Sequence, residues 1–153
     1  MSCVQQGLSD LLTSVSDKSI FAPGGSAPQT AVRRAELSPN PAKIVDNATT
    51  SGIKALHFSI MPSTQRPLNL SHEYLIVFNE NADFSANQFS LKTGTLIGSD
   101  GSTKNDLLLL GNSNDGSKVL FSTPFEEGVF TNFALAMDFN QKYANLASAL
   151  LVG

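Results

Sequence analysis

Tryptophan is absent from this chain, and cysteine occurs once, at Cys3. A single thiol forms no intramolecular disulfide and builds no cysteine-based metal site, so the fold has to rest on its apolar core. Charge is scarce too: Asp, Glu, Lys and Arg make up 15% of the 153 residues, against ~25% in ordinary soluble domains. The net charge of −3 comes without any Lys/Arg run, which excludes the basic footprint of a nucleic-acid binder. No apolar run approaches the ~20 residues that span a bilayer; residues 144–152 fall far short, so no membrane insertion is expected. The N-terminus has no basic segment leading into a long apolar one. Leu8, Leu11, Leu12 and Val15 are spaced like one short helix face instead, so the sequence as it stands predicts no export signal. A Gly-rich phosphate loop and a nucleophile elbow are both missing, and the two histidines stand at a spacing unrelated to metal ligation. No metal and no cofactor is expected.

What is present is polar but weakly charged. Ser, Thr and Asn outnumber the charged residues, a surface suited to neutral, hydroxyl-rich ligands. A chain of this length buries roughly 68–70% of its unfolded surface in one core. Residues 1–31 are weakly patterned, with a loop-like Ala22-Pro23-Gly24-Gly25-Ser26-Ala27-Pro28. From Thr30 the period shifts to two, giving a two-part organisation of 1–31 and 32–153. Residues 31–37 are strand-like and stop at Pro39 and Pro41. Residues 53–61 alternate, with Leu56, Phe58 and Ile60 on one face and His57 and Ser59 on the other. Residues 62–70 form a connecting loop. Residues 73–79 are nearly continuous in hydrophobicity, as in a strand buried on both faces. Strands follow at 89–97, 106–110, 118–122 and 129–139, the last with Phe133, Leu135, Met137 and Phe139 on one face. Asp100-Gly101, Asn114-Asp115-Gly116 and Glu126-Glu127-Gly128 punctuate them as turns. This spacing predicts an all-β antiparallel sandwich or jelly roll.

Two glutamates stand out, because two carboxylates brought together by a sheet are the minimal equipment for cleaving a glycosidic bond. Residues two apart on a strand share a face, so Arg34 and Glu36 point the same way. A guanidinium favours an ionised carboxylate, which suits Glu36 to general base or nucleophile. The plainer reading of that pair is a surface ion pair worth about 0–1 kcal/mol. Glu73 opens the most apolar strand, where desolvation is expected to raise its pKa and make it a general acid. Its plainer reading is a strand-end charge in solvent. His57 and His72 fit structural hydrogen-bonded roles, although His57 shares the polar face of its strand with Ser59. Asp100, Asp106 and Asp115 are explained by turn chemistry. Asn47-Ala48-Thr49 and Asn69-Leu70-Ser71 match the glycosylation sequon, which has meaning only in a secreted protein.

The order of Arg33-Arg34-Ala35-Glu36-Leu37, Leu56-His57-Phe58-Ser59-Ile60 and His72-Glu73-Tyr74 before a hydrophobic strand resembles the core of glycoside hydrolase family 131. Leu91-Lys92-Thr93-Gly94, Asn132-Phe133-Ala134-Leu135 and Asp138-Phe139 are similar in character. That family comprises fungal secreted β-glucan hydrolases with a β-jelly roll and an open groove. The resemblance implies activity on β-1,3-, β-1,6- and β-1,4-linked glucans and an extracellular location. It places the two catalytic glutamates on Glu36 and Glu73, with Arg34, His57, His72 and Tyr74 as supporting or substrate-binding neighbours. Against the family pattern, residues 1–31 lack the tryptophan-containing portion that precedes the Arg-Arg-x-Glu-Leu strand. The chain also stops soon after Phe139, so the expected jelly roll is incomplete at its N- and C-terminal ends.

Three readings follow: a monomeric β-glucan hydrolase, inverting, with Glu73 as acid and Glu36 as base; a non-catalytic glucan-binding or inactive relative; and a jelly-roll polysaccharide lyase using His57, His72, Arg34 or Tyr74. All three expect a polysaccharide partner and neither nucleic acid nor membrane.

Overall fold

In this computed structural model, the structure describes residues 13–22, 24, 26–37 and 51–140. Outside that set lie Cys3, Leu8, Leu11, Leu12, the Pro39/Pro41 stop, the Asn47 sequon and the apolar residues 144–152. The chain divides into two compact units, Met1–Ile44 and Val45–Gly153.

In the first unit, a single 3-10 turn, Asp17–Ser19, is capped reciprocally by Ser16 and Ser19. Next to it, Ile20 and Arg33 form an isolated antiparallel bridge, extended by the Arg34 N–H bond to the Ser19 carbonyl at 2.7 Å. The expected strand over 31–37 is therefore reduced to one bridged residue. Its side chains are β-like, but a ladder needs a partner of matching length, and residues 34–37 have none among the described residues. Leu37 stays 71% exposed as a result.

The second unit is all antiparallel β. β1 (Ile53–Ile60) and β6 (Thr131–Asp138) form one sheet, paired without interruption from Ile53 opposite Asp138 to Ile60 opposite Thr131. β2 (Glu73–Glu80), β3 (Asn87–Gly94), β4 (Asp106–Leu110) and β5 (Val119–Pro124) form a second sheet in sequential order. The alternation expected for β1 and β6 is present: Leu56, Phe58 and Ile60 turn inward while His57 and Ser59 are exposed.

The two sheets face each other through Phe89, Leu91, Leu107 and Leu109 from one and Phe133 and Leu135 from the other. Phe133 fastens the layers. Its ring stacks on Phe58 of its own sheet at 5.1 Å and meets Phe121 of the opposite sheet edge-on at 6.4 Å. This is the packing of an antiparallel β-sandwich, with inward residues alternating along each strand.

The strand buried on both faces is β4 rather than β2. Leu107 and Leu109 join the shared core, and Leu108 and Leu110 on the opposite face are also buried. β2 lies at the edge of its sheet among the described strands, and Leu75 is 44% exposed. Its continuous apolar run has a different cause. The register slips between Leu75 and Val77, and this bulge turns both Ile76 and Val77 toward the core.

Candidate functional site

The bulge decides where Glu73 points. Val77 pairs with Leu91 and faces the core. Strict alternation back from Val77 would bring Leu75 and Glu73 inward as well. The extra residue reverses that parity. Leu75 pairs with Lys92, Tyr74 with Thr93 and Glu73 with Gly94, so Glu73 emerges on the outer face of the four-stranded sheet.

Lys92 shares this face as the diagonal neighbour of Glu73. Because Gly94 places no side chain directly opposite, Lys92 Nζ reaches across to Glu73 Oε1 at 2.7 Å. The second oxygen, Oε2, accepts the backbone N–H of Ile97 at 2.8 Å. That N–H comes from the loop after β3, which is tied to the approach to β2. Thr95 N–H bonds the Leu70 and His72 carbonyls at 3.0 and 3.1 Å, and the Thr95 hydroxyl donates to Leu70 O at 2.8 Å. Gly94 permits the close approach: its φ is +79°, and a Cβ there would lie 2.0 Å from the His72 carbonyl oxygen. On the other side, the Tyr74 hydroxyl accepts the Asn69 N–H at 3.0 Å. Asn69 Oδ1 holds the N–H and hydroxyl of Ser71 at 3.2 and 2.8 Å.

The electrostatics overturn one expectation. Burial pushes the Glu73 carboxyl up, as its apolar strand suggested. The Lys92 hydrogen bond, the Ile97 N–H and the Lys92 charge together outweigh it and hold the group below its ordinary value of 4.5. With side-chain exposures of 17% for Glu73 and 23% for Lys92, this is a largely desolvated ion pair. Glu73 is an ionised carboxylate, not a poised acid. Two of its roughly four lone-pair sites are occupied, which leaves acceptor capacity for a water or a sugar hydroxyl.

In the first unit, the Arg34–Glu36 pairing expected from their spacing is present. Arg34 Nε donates to Glu36 Oε1 at 2.6 Å, and the guanidinium stands 4.3 Å over the Phe21 ring, a cation–π contact that fixes its plane. The side chains remain 29% and 48% exposed.

The supporting residues separate. His57 stands opposite Ala134 on the exposed face of the two-stranded sheet, so the sandwich core lies between it and the Glu73 face. It is not a neighbour of Glu73, because residue 57 alternates with core residues Leu56 and Phe58 of the other layer. Tyr74 has the parity opposite to Glu73 and anchors the preceding turn. His72 acts through its main chain and its side chain is exposed. The partners that sequence reasoning left without a role are Lys92, Gly94 and the Ile97 N–H. One signal was available: counting by twos from core residues Phe89 and Leu91 puts Lys92 on the opposite face, the only cation in that strand.

Fold and site together define a β-sandwich of the jelly-roll kind carrying a clamped, ionised glutamate at the edge of one sheet. The sequence pattern of the glycoside hydrolase 131 catalytic N-terminal domain matches residues 6–148, and the chain belongs to that family. Among solved structures, it is similar to the crystal structure of a β-glucanase catalytic domain of this family from Podospora anserina, at 25% identity and a TM-score of 0.50. That alignment covers 61% of this chain and 35% of the other, so the chain corresponds to about a third of that catalytic domain. No curated protein matches it.

Proposed function

We propose that this chain acts on β-glucans as a glycoside hydrolase, with Glu36 and Glu73 as its two carboxylates. The observation that carries the reading is the Glu73 clamp. A carboxylate on the outer face of a sheet, held ionised by Lys92 and Ile97 yet with acceptor sites free, is equipped to orient or deprotonate a water. The family name and the β-glucanase title of the similar structure supply the substrate class. The ionised state gives Glu73 the role of base, the reverse of the assignment its apolar setting suggested. Arg34, pinned over Phe21, orients the Glu36 carboxyl.

In this mechanism Glu73 accepts a proton from water as the water attacks the anomeric carbon, while a general acid donates one to the departing oxygen. The anomer is inverted by this direct attack of water. Reducing-sugar release from laminarin and mixed-linkage glucan tests the reading. Glu36→Gln and Glu73→Gln are each expected to lower kcat by about 10²–10⁴-fold, and proton NMR of the first product is expected to show the α-anomer. Undiminished activity in both variants ends the proposal. Retention on insoluble glucan without product release, indifferent to both substitutions, selects a binding module instead.

A further inference from the structure

The turn joining β2 to β3 carries the most exposed aromatic ring among the described residues. Phe84 is 79% exposed, and its φ of 59° puts a bulky non-glycine residue in the left-handed region, where such residues are outliers. The turn around it is held tightly. Phe84 N–H bonds Asn81 O at 2.9 Å and Asn81 N–H bonds Ala86 O at 2.8 Å. Asp83 Oδ1 accepts the N–H and hydroxyl of Ser85 at 3.1 and 2.7 Å. The ring is thus displayed at a backbone cost, with no compensating burial.

A row of primary amides starts at Asn81, whose carbonyl accepts the Phe84 N–H. Gln88 Nε2 donates to Asn81 Oδ1, Asn112 Nδ2 to Gln88 Oε1 at 3.4 Å, and Asn81 Nδ2 to the Ser85 hydroxyl at 3.2 Å. Amides aligned in this way still offer both donors and acceptors at their outer edges. An exposed ring flanked by uncharged amides matches a pyranose, whose C–H face stacks on an aromatic and whose hydroxyls both donate and accept. The neighbouring Glu80 and Asp83 disfavour an anionic sugar. The small or polar residues on either side, Ala82, Asp83 and Ser85, do not extend the ring into a protein-binding apolar patch.

We propose that Phe84 and the Asn81–Gln88–Asn112 amides form a remote binding site for a glucose unit of a neutral β-glucan chain. This rests on the function proposed above and adds a length preference to it. Glu73 and Glu80 bound the eight-residue β2, so the turn stands roughly 23 Å from Glu73 at about 3.3 Å per residue. Only a glucan of several units bridges both. Removing Phe84 then weakens long chains and spares short ones.

The test compares wild type with Phe84→Ala and Phe84→Trp, using affinity electrophoresis in soluble laminarin and mixed-linkage glucan alongside hydrolysis of short and long glucans. The ring is exposed, so both variants are expected to fold, with unfolding midpoints at or above that of wild type. Phe84→Ala is expected to lose about tenfold in affinity for long chains at an unchanged rate on short oligosaccharides, and Phe84→Trp to keep or raise retention. Equal retention and equal rates in Phe84→Ala and wild type would overturn the site while leaving the hydrolase intact. Retention that depends on Phe84 in a wild type releasing no product would support the site and overturn the hydrolase. A wild type that neither binds nor cleaves glucan would overturn both. Concentration-dependent self-association abolished by Phe84→Ala, with retention unchanged, would assign the ring to a contact between copies and also overturn the site.

Discussion

Replacing Lys92 by methionine tests the centre of the site, because it removes one charge while keeping nearly the same side-chain length. In the native protein, Glu73 has two donors, Lys92 and the Ile97 N–H, the first of them also a cation, to offset its burial. Without Lys92, the upward push of burial is opposed by the Ile97 N–H alone, and the Glu73 pKa rises. Exposed pairs contribute 0.2–1 kcal/mol and breaking a fully buried pair costs 3–5 kcal/mol; at exposures of 17% and 23%, a loss of about 2 kcal/mol is expected. For a chain of this size that lowers Tm by about 4–8 °C. The pH dependence carries the sign. A carboxyl whose folded pKa lies below its unfolded value contributes stability that is complete above the unfolded value and disappears as pH falls through the folded one. The gap between wild type and Lys92→Met should therefore be full near pH 7 and close as pH falls below 4.5, where Glu73 becomes neutral in both proteins. Activity should lose its acidic limb at a higher pH in the variant, since a base must be ionised. Thermal unfolding of wild type, Lys92→Met, Glu73→Gln and the double variant completes a double-mutant cycle. The same Tm gap at about pH 3 and about pH 7, or a coupling energy under about 0.3 kcal/mol, would refute the account.

Two further substitutions probe how the backbone builds the site. Gly94→Ala drives a Cβ to 2.0 Å from the His72 carbonyl at a φ of +79°, so a loss of about 3 kcal/mol or failure to fold is expected; a wild-type melting curve would show that the approach of β3 to residue 72 is not needed. Deleting Ile76 removes the inserted residue and leaves Val77 opposite Leu91, Leu75 opposite Lys92 and Glu73 opposite Gly94, so the Glu73–Lys92 pair should survive; unfolding in urea is expected to show a loss of about 1–3 kcal/mol, close to that of Ile76→Ala. Loss of the Glu73–Lys92 coupling energy in the deletion variant would show that Ile76 is not the inserted residue.

Much of the sandwich is legible in the sequence because alternation is a local signal. Leu56, Phe58 and Ile60, and Phe133, Leu135 and Met137, declare their faces without reference to any partner. The segment at 31–37 has the same local signal and yields only the Ile20–Arg33 bridge, because a strand exists only where a second backbone meets it. The Arg34–Glu36 contact survives nevertheless, since an i, i+2 pairing in extended backbone needs no ladder. The Leu107–Leu110 run and the run after Glu73 look equally apolar, and nothing local separates a central strand buried twice from an edge strand with an inserted residue.

The environment of Glu73 is not legible in its local sequence for the same physical reason. Its apolar neighbours in sequence are a desolvation signal, and burial is indeed the largest single influence on the group. What reverses the outcome comes from across the sheet, from Lys92 nineteen positions later and from a loop N–H beyond it. Both reach Glu73 only because the bulge at Ile76 shifts the register by one. In a regular ladder the pairing of Val77 with Leu91 would continue to Leu75 with Thr93 and Glu73 with Thr95, and the carboxyl would enter the core away from Lys92. One inserted residue thus turns a carboxyl expected to be neutral into an ionised one.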